Sequence, residues 1–313
     1  MQKIFWGGVK YKLLIYTDSY ESDNVISYLR PLIRMGKIEL LGFVSDKLNS
    51  YKEWDEIPFF ELKDIEKIQY DYIIAADFSQ ECNLKSELVG KGIKKDKIIK
   101  GRMLENPCFS FEKYEKVHKI PGGISIISEH CFGGITYNDL DLEFASPFIN
   151  MFVYHTDFFR LVENLEYYMN LKLEFKGLDE GKKYPIGLLG DVSLYFNHYS
   201  TYEEAEDCWN RRKERINFNN ILVQAPLYNK GHLDEFSKIK YRKIGFSNLC
   251  CADKHVIDLS DYQDDYIREK SHEHFWEYVL DTSYKKVHKK FPRIYDPYKL
   301  LLGDEDYLLR KMK

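Results

Sequence analysis

Short apolar runs separated by helix-like stretches recur through the first hundred residues, and this alternation limits the fold more than any other feature of the chain. Residues 12–16 (KLLIY), 38–45 (IELLGFVS), 57–60, 72–76 and 97–99 read as strands, and residues 23–35, 62–68 and 84–91 as helices. Strands joined by helical crossovers predict a parallel sheet, a Rossmann-like domain over residues 1–118. Pro31 inside the first helix predicts a kink or an early stop, because its ring removes one backbone donor.

A dinucleotide fold needs glycines after its first strand so that backbone N–H groups can approach a pyrophosphate. Here residues 17–23 carry no glycine and three carboxylates, Asp18, Glu21 and Asp23, which repel such a group. Asp46 stands where a ribose-binding acid would stand, yet a lone Asp after a strand is more often a turn residue. The first domain therefore reads as a Rossmann-like shell without the standard phosphate loop.

Asn106-Pro107 and Pro121-Gly122-Gly123 punctuate a charged stretch and predict a linker over residues 101–123. A second α/β domain is expected over residues 119–313. Its predicted strands are 124–128, 148–154, 171–175, 192–196 and 221–224, and its helices 157–170 and 202–216. Thr201 and Glu204 fix the start of the last helix by capping-box spacing. Beyond Asp258 the chain is charge-rich, with a helix expected near residues 264–280.

At 313 residues the chain has room for two domains, each with its own core. A net charge of -4 gives no bulk attraction to nucleic acid, so no nucleic-acid partner is expected. The 25 Tyr and 20 Phe suit either core packing or sugar-stacking surfaces. No 18-residue apolar run or leader-like segment occurs, so no transmembrane segment is expected. Six scattered cysteines without a C-x-x-C pair suit reduced thiols in a cytoplasm.

Candidate chemistry concentrates between Ile124 and Asn220. In TYEEAEDCWNRRKERI the apolar stripe runs Tyr202, Ala205, Trp209, then Arg212, then Ile216, so a guanidinium faces inward. A buried cation needs a partner, either an internal carboxylate, with Asp191 the candidate, or a ligand anion. Arg211 and Arg215 lie on an adjoining face, where they extend an anion site or merely complement the helix dipole.

Cys131 follows a strand and precedes Phe132-Gly133-Gly134. It reads either as a nucleophile with His130 or His198 as base, or as a small buried hydrophobe beside a tight turn. His198 is expected to close a strand, as a base or a structural histidine. Asp191 after Gly190 is an orienting carboxylate or a turn former. The two D-x-D matches, Asp139 with Asp141 and Asp304 with Asp306, are no more than chance gives in so acidic a chain, and His272 and His274 point to different helix faces.

The segments ISEHCFGGITYNDL, SPFINMFV, LENLEYYM, YPIGLLGDVSLYFNHY and EEAEDCWNRRKERIN together resemble a bacterial family of unknown function whose members are often labelled exopolysaccharide or capsular-polysaccharide biosynthesis proteins. The resemblance covers roughly residues 124–246. Residues 40–100, with GFVSD, IPFF and YDYIIAAD in order, resemble Rossmann-like domains attached to nucleotide-sugar and polysaccharide enzymes.

The resemblance implies a pathway and not a mechanism; joined to the residue readings above, it leads to the expectation of a cytoplasmic, membrane-peripheral transferase acting on an activated sugar or glycan intermediate. Arg211, Arg212 and Arg215 would hold the anionic group, Asp191 would orient, and His198 would act as base. Cys131 is the nucleophile of an alternative acyl transfer, and His130, Gly133, Gly134, Tyr199 and Trp209 are expected to complete the pocket. The expected partner is a nucleotide sugar or glycan intermediate. No metal ligands are assigned, the cofactor is unspecified, and homo-oligomer formation stays open. The competing class is a non-catalytic binding or scaffold subunit of a polysaccharide assembly complex.

Overall fold

The computed structural model describes residues 10–17, 22–46, 53–54, 57–78, 83–178, 181, 183–247, 249, 251–258 and 295–309. The helix expected near residues 264–280, the pair His272 and His274, and most of the turn after the first strand lie outside them. The chain divides into two compact units, Met1–Phe111 and Glu112–Lys313.

The first unit is built on a six-stranded sheet. Its strands are β1 (Tyr11–Tyr16), β2 (Ile38–Val44), β3 (Glu53–Trp54), β4 (Ile57–Phe60), β5 (Tyr72–Ala75) and β6 (Ile98–Lys100), in the order β3-β4-β2-β1-β5-β6. All neighbours run parallel except β3 against β4. The chain moves outward from β1 to β2 and β4, then returns to β5 on the other side of β1, as in open α/β sheets. Leu14, Tyr16, Val44, Ile73, Ala75 and Ile98 are buried against Leu84 and Leu88 of helix α2 (Leu84–Gly90). Helix α1 (Ser22–Arg34) does not stop at Pro31, and the Met35 N–H donates to the Pro31 carbonyl at 3.0 Å.

The stretch expected as a linker is folded. Residues Gly101–Glu105 form a 3-10 turn, and helix α3 spans Phe111–His118. Met103, Leu104, Phe111, Tyr114 and Val117 are buried there, which composition alone concealed behind charged neighbours.

The second unit holds two sheets. Strands β7 (Ser125–Ser128), β12 (Ile221–Leu227), β13 (Arg242–Ser247) and β14 (Val256–Asp258) are parallel, in the order β14-β13-β12-β7. Strands β8 (Phe152–Val153), β9 (Glu174–Leu178), β10 (Pro185–Leu189) and β11 (Val192–Tyr195) form an antiparallel sheet, β8-β11-β10-β9, inserted between β7 and β12. Helices α4 (Phe132–Asp139), α5 (His155–Glu163), α6 (Leu165–Asn170), α7 (Tyr202–Lys213), α8 (Lys230–Lys238) and α9 (Pro297–Leu302) complete it.

The alternating face of β10 and β11 buries Leu189, Val192 and Leu194, followed by Phe196. These residues share one core with Phe158, Leu161, Val162, Trp209, Val223 and Ala225. This core ties the inserted sheet to the parallel one. The expected helix over residues 157–170 is broken at Asn164 into α5 and α6, and the expected strand 148–154 is reduced to β8.

Candidate functional site

The carboxyl end of β7 carries three consecutive polar residues, Glu129, His130 and Cys131, and local hydrogen bonds shape their loop. The Ser128 hydroxyl donates to the His130 carbonyl at 2.8 Å and accepts from the Gly133 N–H at 3.1 Å. The Val153 N–H donates to the Glu129 carbonyl at 3.0 Å, which brings β8 to the same end. Cys131 is the residue before α4, a position that few apolar repeats announce in the sequence. A Cβ on Gly133 would sit 3.1 Å from the Ser128 hydroxyl and 3.4 Å from Ile126, so glycine permits the close approach of α4 to β7.

The Cys131 Sγ lies 3.8 Å from His198 Nε2. His198 does not close a strand, because β11 ends at Tyr195. It is exposed in the turn beyond. Burial pushes the Cys131 thiol up, so near neutral pH a protonated thiol faces the imidazole. Such a pair acts as a nucleophile by passing the proton to histidine as the sulfur attacks.

Glu129 is 3% exposed and joins two histidines. One carboxylate oxygen lies 2.6 Å from His155 Nδ1, and the other 3.4 Å from His130 Nε2. Burial pushes this carboxyl up, and the hydrogen bonds from His130 and His155 more than offset it, leaving it below the usual carboxylate range. His155 opens α5, its ring edge-on to Phe159 at 4.7 Å and against His232 at 3.3 Å between centroids. Its Nε2 is buried and has no hydrogen-bond partner among the described residues.

His232 comes from the first turn of α8, where Asn229 caps the helix by accepting from the His232 N–H at 3.0 Å. Burial, and His155 beside it, push His232 down to about 4. Among the described residues no group of three His, Cys, Asp or Glu side chains converges on a metal-ion position.

An aromatic surface borders this loop. Phe152 and Tyr195 are cross-strand partners on β8 and β11, stacked at 4.8 Å and 9°. Tyr154, 56% exposed, meets both rings edge-on at 5.4 and 4.7 Å. The His130 ring lies 6.3 Å from Phe152.

Several expected site residues lie elsewhere. Asp191 does not pair with Arg212. It forms the two-residue β10–β11 turn with Gly190, whose φ is 65°, and its side chain is 64% exposed. It accepts from the Tyr168 hydroxyl at 2.8 Å and from Arg160 at 3.2 Å, which hold its carboxyl low. The turn-former reading applies.

Arg212 is buried on the α7 stripe, as the spacing predicts, yet its partners are the Tyr199 hydroxyl and the Phe144 ring face at 5.0 Å. The Tyr199 hydroxyl donates to the Ile149 carbonyl at 2.9 Å and is likewise buried. Trp209 is 1% exposed between Phe148 and Phe196, a core position rather than a ligand contact.

Arg215 pairs with Glu143 at 3.0 Å, and Arg211 is exposed with Cys208 Sγ at 3.5 Å, so the three arginines do not form one anion cluster. Gly133 and Gly134 are buried, and the Gly133 N–H is already committed to Ser128. The structure thus brings Cys131 and His198 together, while the His130 Nε2 faces Glu129 at 3.4 Å. It adds Glu129, His155, His232 and the aromatic residues, which sequence reading missed. Only their positions after predicted strand ends and helix starts could have signalled them.

The family model described as "Domain of unknown function (DUF1919)" matches residues 100–291, and one described as "C2185-like, N-terminal" matches residues 9–99. An uncharacterized protein of Haemophilus influenzae is 34% identical over 101 residues, 32% of this chain and 48% of that protein. The chain therefore spans about half the length of the curated relative it matches. A solved aspartate semialdehyde dehydrogenase II from Vibrio cholerae, complexed with ASA, aligns over 74% of this chain and 78% of its own at 11% identity. The TM-score of that alignment is 0.25. Among the described residues no helix is long and apolar enough to cross a membrane.

Proposed function

Since the chain belongs to the family described as Domain of unknown function (DUF1919), a description without an activity, we propose from the site itself that it is a group transferase acting on a sugar-bearing substrate of exopolysaccharide or capsule synthesis. The transferred group is acyl and passes through Cys131. The observation that supports this reading is the 3.8 Å approach of Cys131 Sγ to His198 Nε2 beside a glutamate–histidine cluster at the end of a parallel strand.

In the first half-reaction the thiol proton moves to His198 Nε2 as sulfur attacks the acyl carbonyl. The S–C bond forms, the donor's leaving group departs, and His198 returns the proton to it. The Phe152, Tyr154 and Tyr195 rings offer apolar faces of the kind on which pyranose rings stack, which favours a sugar acceptor.

One observation favours the non-catalytic binding reading instead. Burial holds the thiol protonated, and among the described residues no third group is hydrogen-bonded to His198. Thermal-unfolding shifts with acetyl-coenzyme A, nucleotides and nucleotide sugars separate the two. A ligand at 100 times its dissociation constant adds about 2.7 kcal/mol. Acyl transfer predicts a shift with acetyl-coenzyme A and acetylation of the wild-type protein but not of Cys131→Ala. A shift with nucleotide sugars and no acylation from acetyl-coenzyme A supports the binding subunit.

A further inference from the structure

His155 carries a feature that its packing does not account for. Its Nδ1 faces the buried Glu129 carboxylate at 2.6 Å, and a neutral imidazole that donates there from Nδ1 carries its lone pair on Nε2. That Nε2 is buried without a partner among the described residues. A buried polar atom left unmatched costs stability, commonly about 1–3 kcal/mol. The geometry matches a carboxylate-oriented imidazole ready to accept a proton, the arrangement by which acid–histidine pairs act as general bases.

We propose that Glu129 and His155 form a second proton-handling pair, in which His155 Nε2 takes the proton of an acceptor hydroxyl and Glu129 positions the ring. The inference rests on the acyl-transfer reading and assigns the deacylating half-reaction to residues distinct from His198. As the hydroxyl oxygen attacks the Cys131 thioester, its proton passes to His155 Nε2. The new C–O bond forms, the C–S bond breaks, and sulfur leaves with its electron pair. Proton loss from His155 to solvent and proton uptake by the thiolate restore the site.

Nε2 is out of contact with solvent, and the proposed step therefore requires the half-buried His232 ring, packed on His155 at 3.3 Å between centroids, to turn aside for the acceptor. Among the described residues, the titratable groups around His155 are Glu129 and His130 from the β7 loop, His232 from α8, and Tyr228 at 6.0 Å.

The test uses the whole chain with p-nitrophenyl acetate as donor and methyl glucoside as acceptor. The p-nitrophenolate burst reports acylation of Cys131, and acetylated methyl glucoside reports the second step. Glu129→Gln and His155→Asn are expected to keep the burst and to lower transfer to methyl glucoside about 100-fold. The wild-type transfer rate is expected to rise with pH through one ionisation, and Glu129→Gln to move that limb to lower pH. A purely structural role would not move it.

Wild-type transfer rates and an unmoved limb in both variants, with the burst intact, would overturn this inference and leave the acyl-transfer reading standing. Absence of the burst in the wild-type protein would overturn that reading. Nitrogen-15 spectra of the histidine rings then decide the base assignment without a donor. A bare His155 Nε2 at about pH 7 supports it, and an Nε2 that carries the proton overturns it.

Discussion

Both units place polar side chains near the carboxyl ends of parallel strands, but the two clusters are completed in different ways. In the first unit the Tyr16 hydroxyl, Asp46, Glu87 and Lys91 are partners of one another. Lys91 pairs with Asp46 and with Glu87, the latter at 2.5 Å, and meets the Tyr16 hydroxyl at 3.1 Å. Both carboxylates share one ammonium, whose pKa is pushed up first by its bond to Asp46.

In the second unit Glu129 is matched by two imidazoles, and the Nε2 of one of them, His155, has no partner among the described residues. A cluster whose charges and donors all find partners serves stability. One with spare valence next to a thiol–imidazole pair is suited to chemistry. Asp46 is an ion-pair residue in this structure.

Substitutions can break this contrast, and their effects fall in a clear order. Cys131→Ala is expected to lower acyl uptake from p-nitrophenyl acetate by about 1000-fold or more, while Lys91→Met leaves it unchanged. Equal losses in both would erase the distinction between the units. Trp209→Ala, which empties a core site between Phe148 and Phe196, should cost about 3–5 kcal/mol in denaturant unfolding, without changing the chemistry of the residual folded fraction.

Acid sensitivity should be localised as well. His232 is pushed down from 6.5 to about 4, so between those values the folded protein binds fewer protons than the unfolded chain. Stability therefore falls as pH drops across that window and levels off below it. Glu129, held low, acts in the same sense: its contribution is present above the ordinary carboxylate range and is lost as pH falls through its lowered pKa. His232→Phe should flatten the upper part of the profile, seen as a smaller drop in Tm between about pH 7 and about pH 5. An unchanged drop would remove His232 from the account. The smallest effect belongs to Lys91→Met, about 1 kcal/mol, because its partners are partly solvated.

Much of the fold could be read from the chain. The strand–helix alternation predicts the parallel order of the first sheet, and Thr201 with Glu204 marks the start of α7, where the Thr201 hydroxyl accepts the Glu204 N–H. The inward face of Arg212 follows from the 3,4 spacing.

Its partner did not follow from any local pattern. Tyr199 and Phe144 reach it only through the inserted antiparallel sheet and the loop before β8. Helix α4 was hidden because its glycine pair weakens helix propensity while permitting contact with β7. The Glu129–His155–His232 cluster joins residues from a strand end and two helix starts far apart in sequence. Pairing across such distances leaves no periodicity to read.

In the proposed acyl transfer, Cys131 carries the transferred group next to the Glu129–His155 pair. The most direct measurement is mass spectrometry of the intact protein after brief exposure to p-nitrophenyl acetate at about neutral pH, followed by peptide mapping. The account predicts one acetyl group, placed on the peptide containing Cys131, present in Glu129→Gln and absent in Cys131→Ala. An unmodified chain, or acetyl groups distributed over surface lysines and equally abundant in Cys131→Ala, would contradict it.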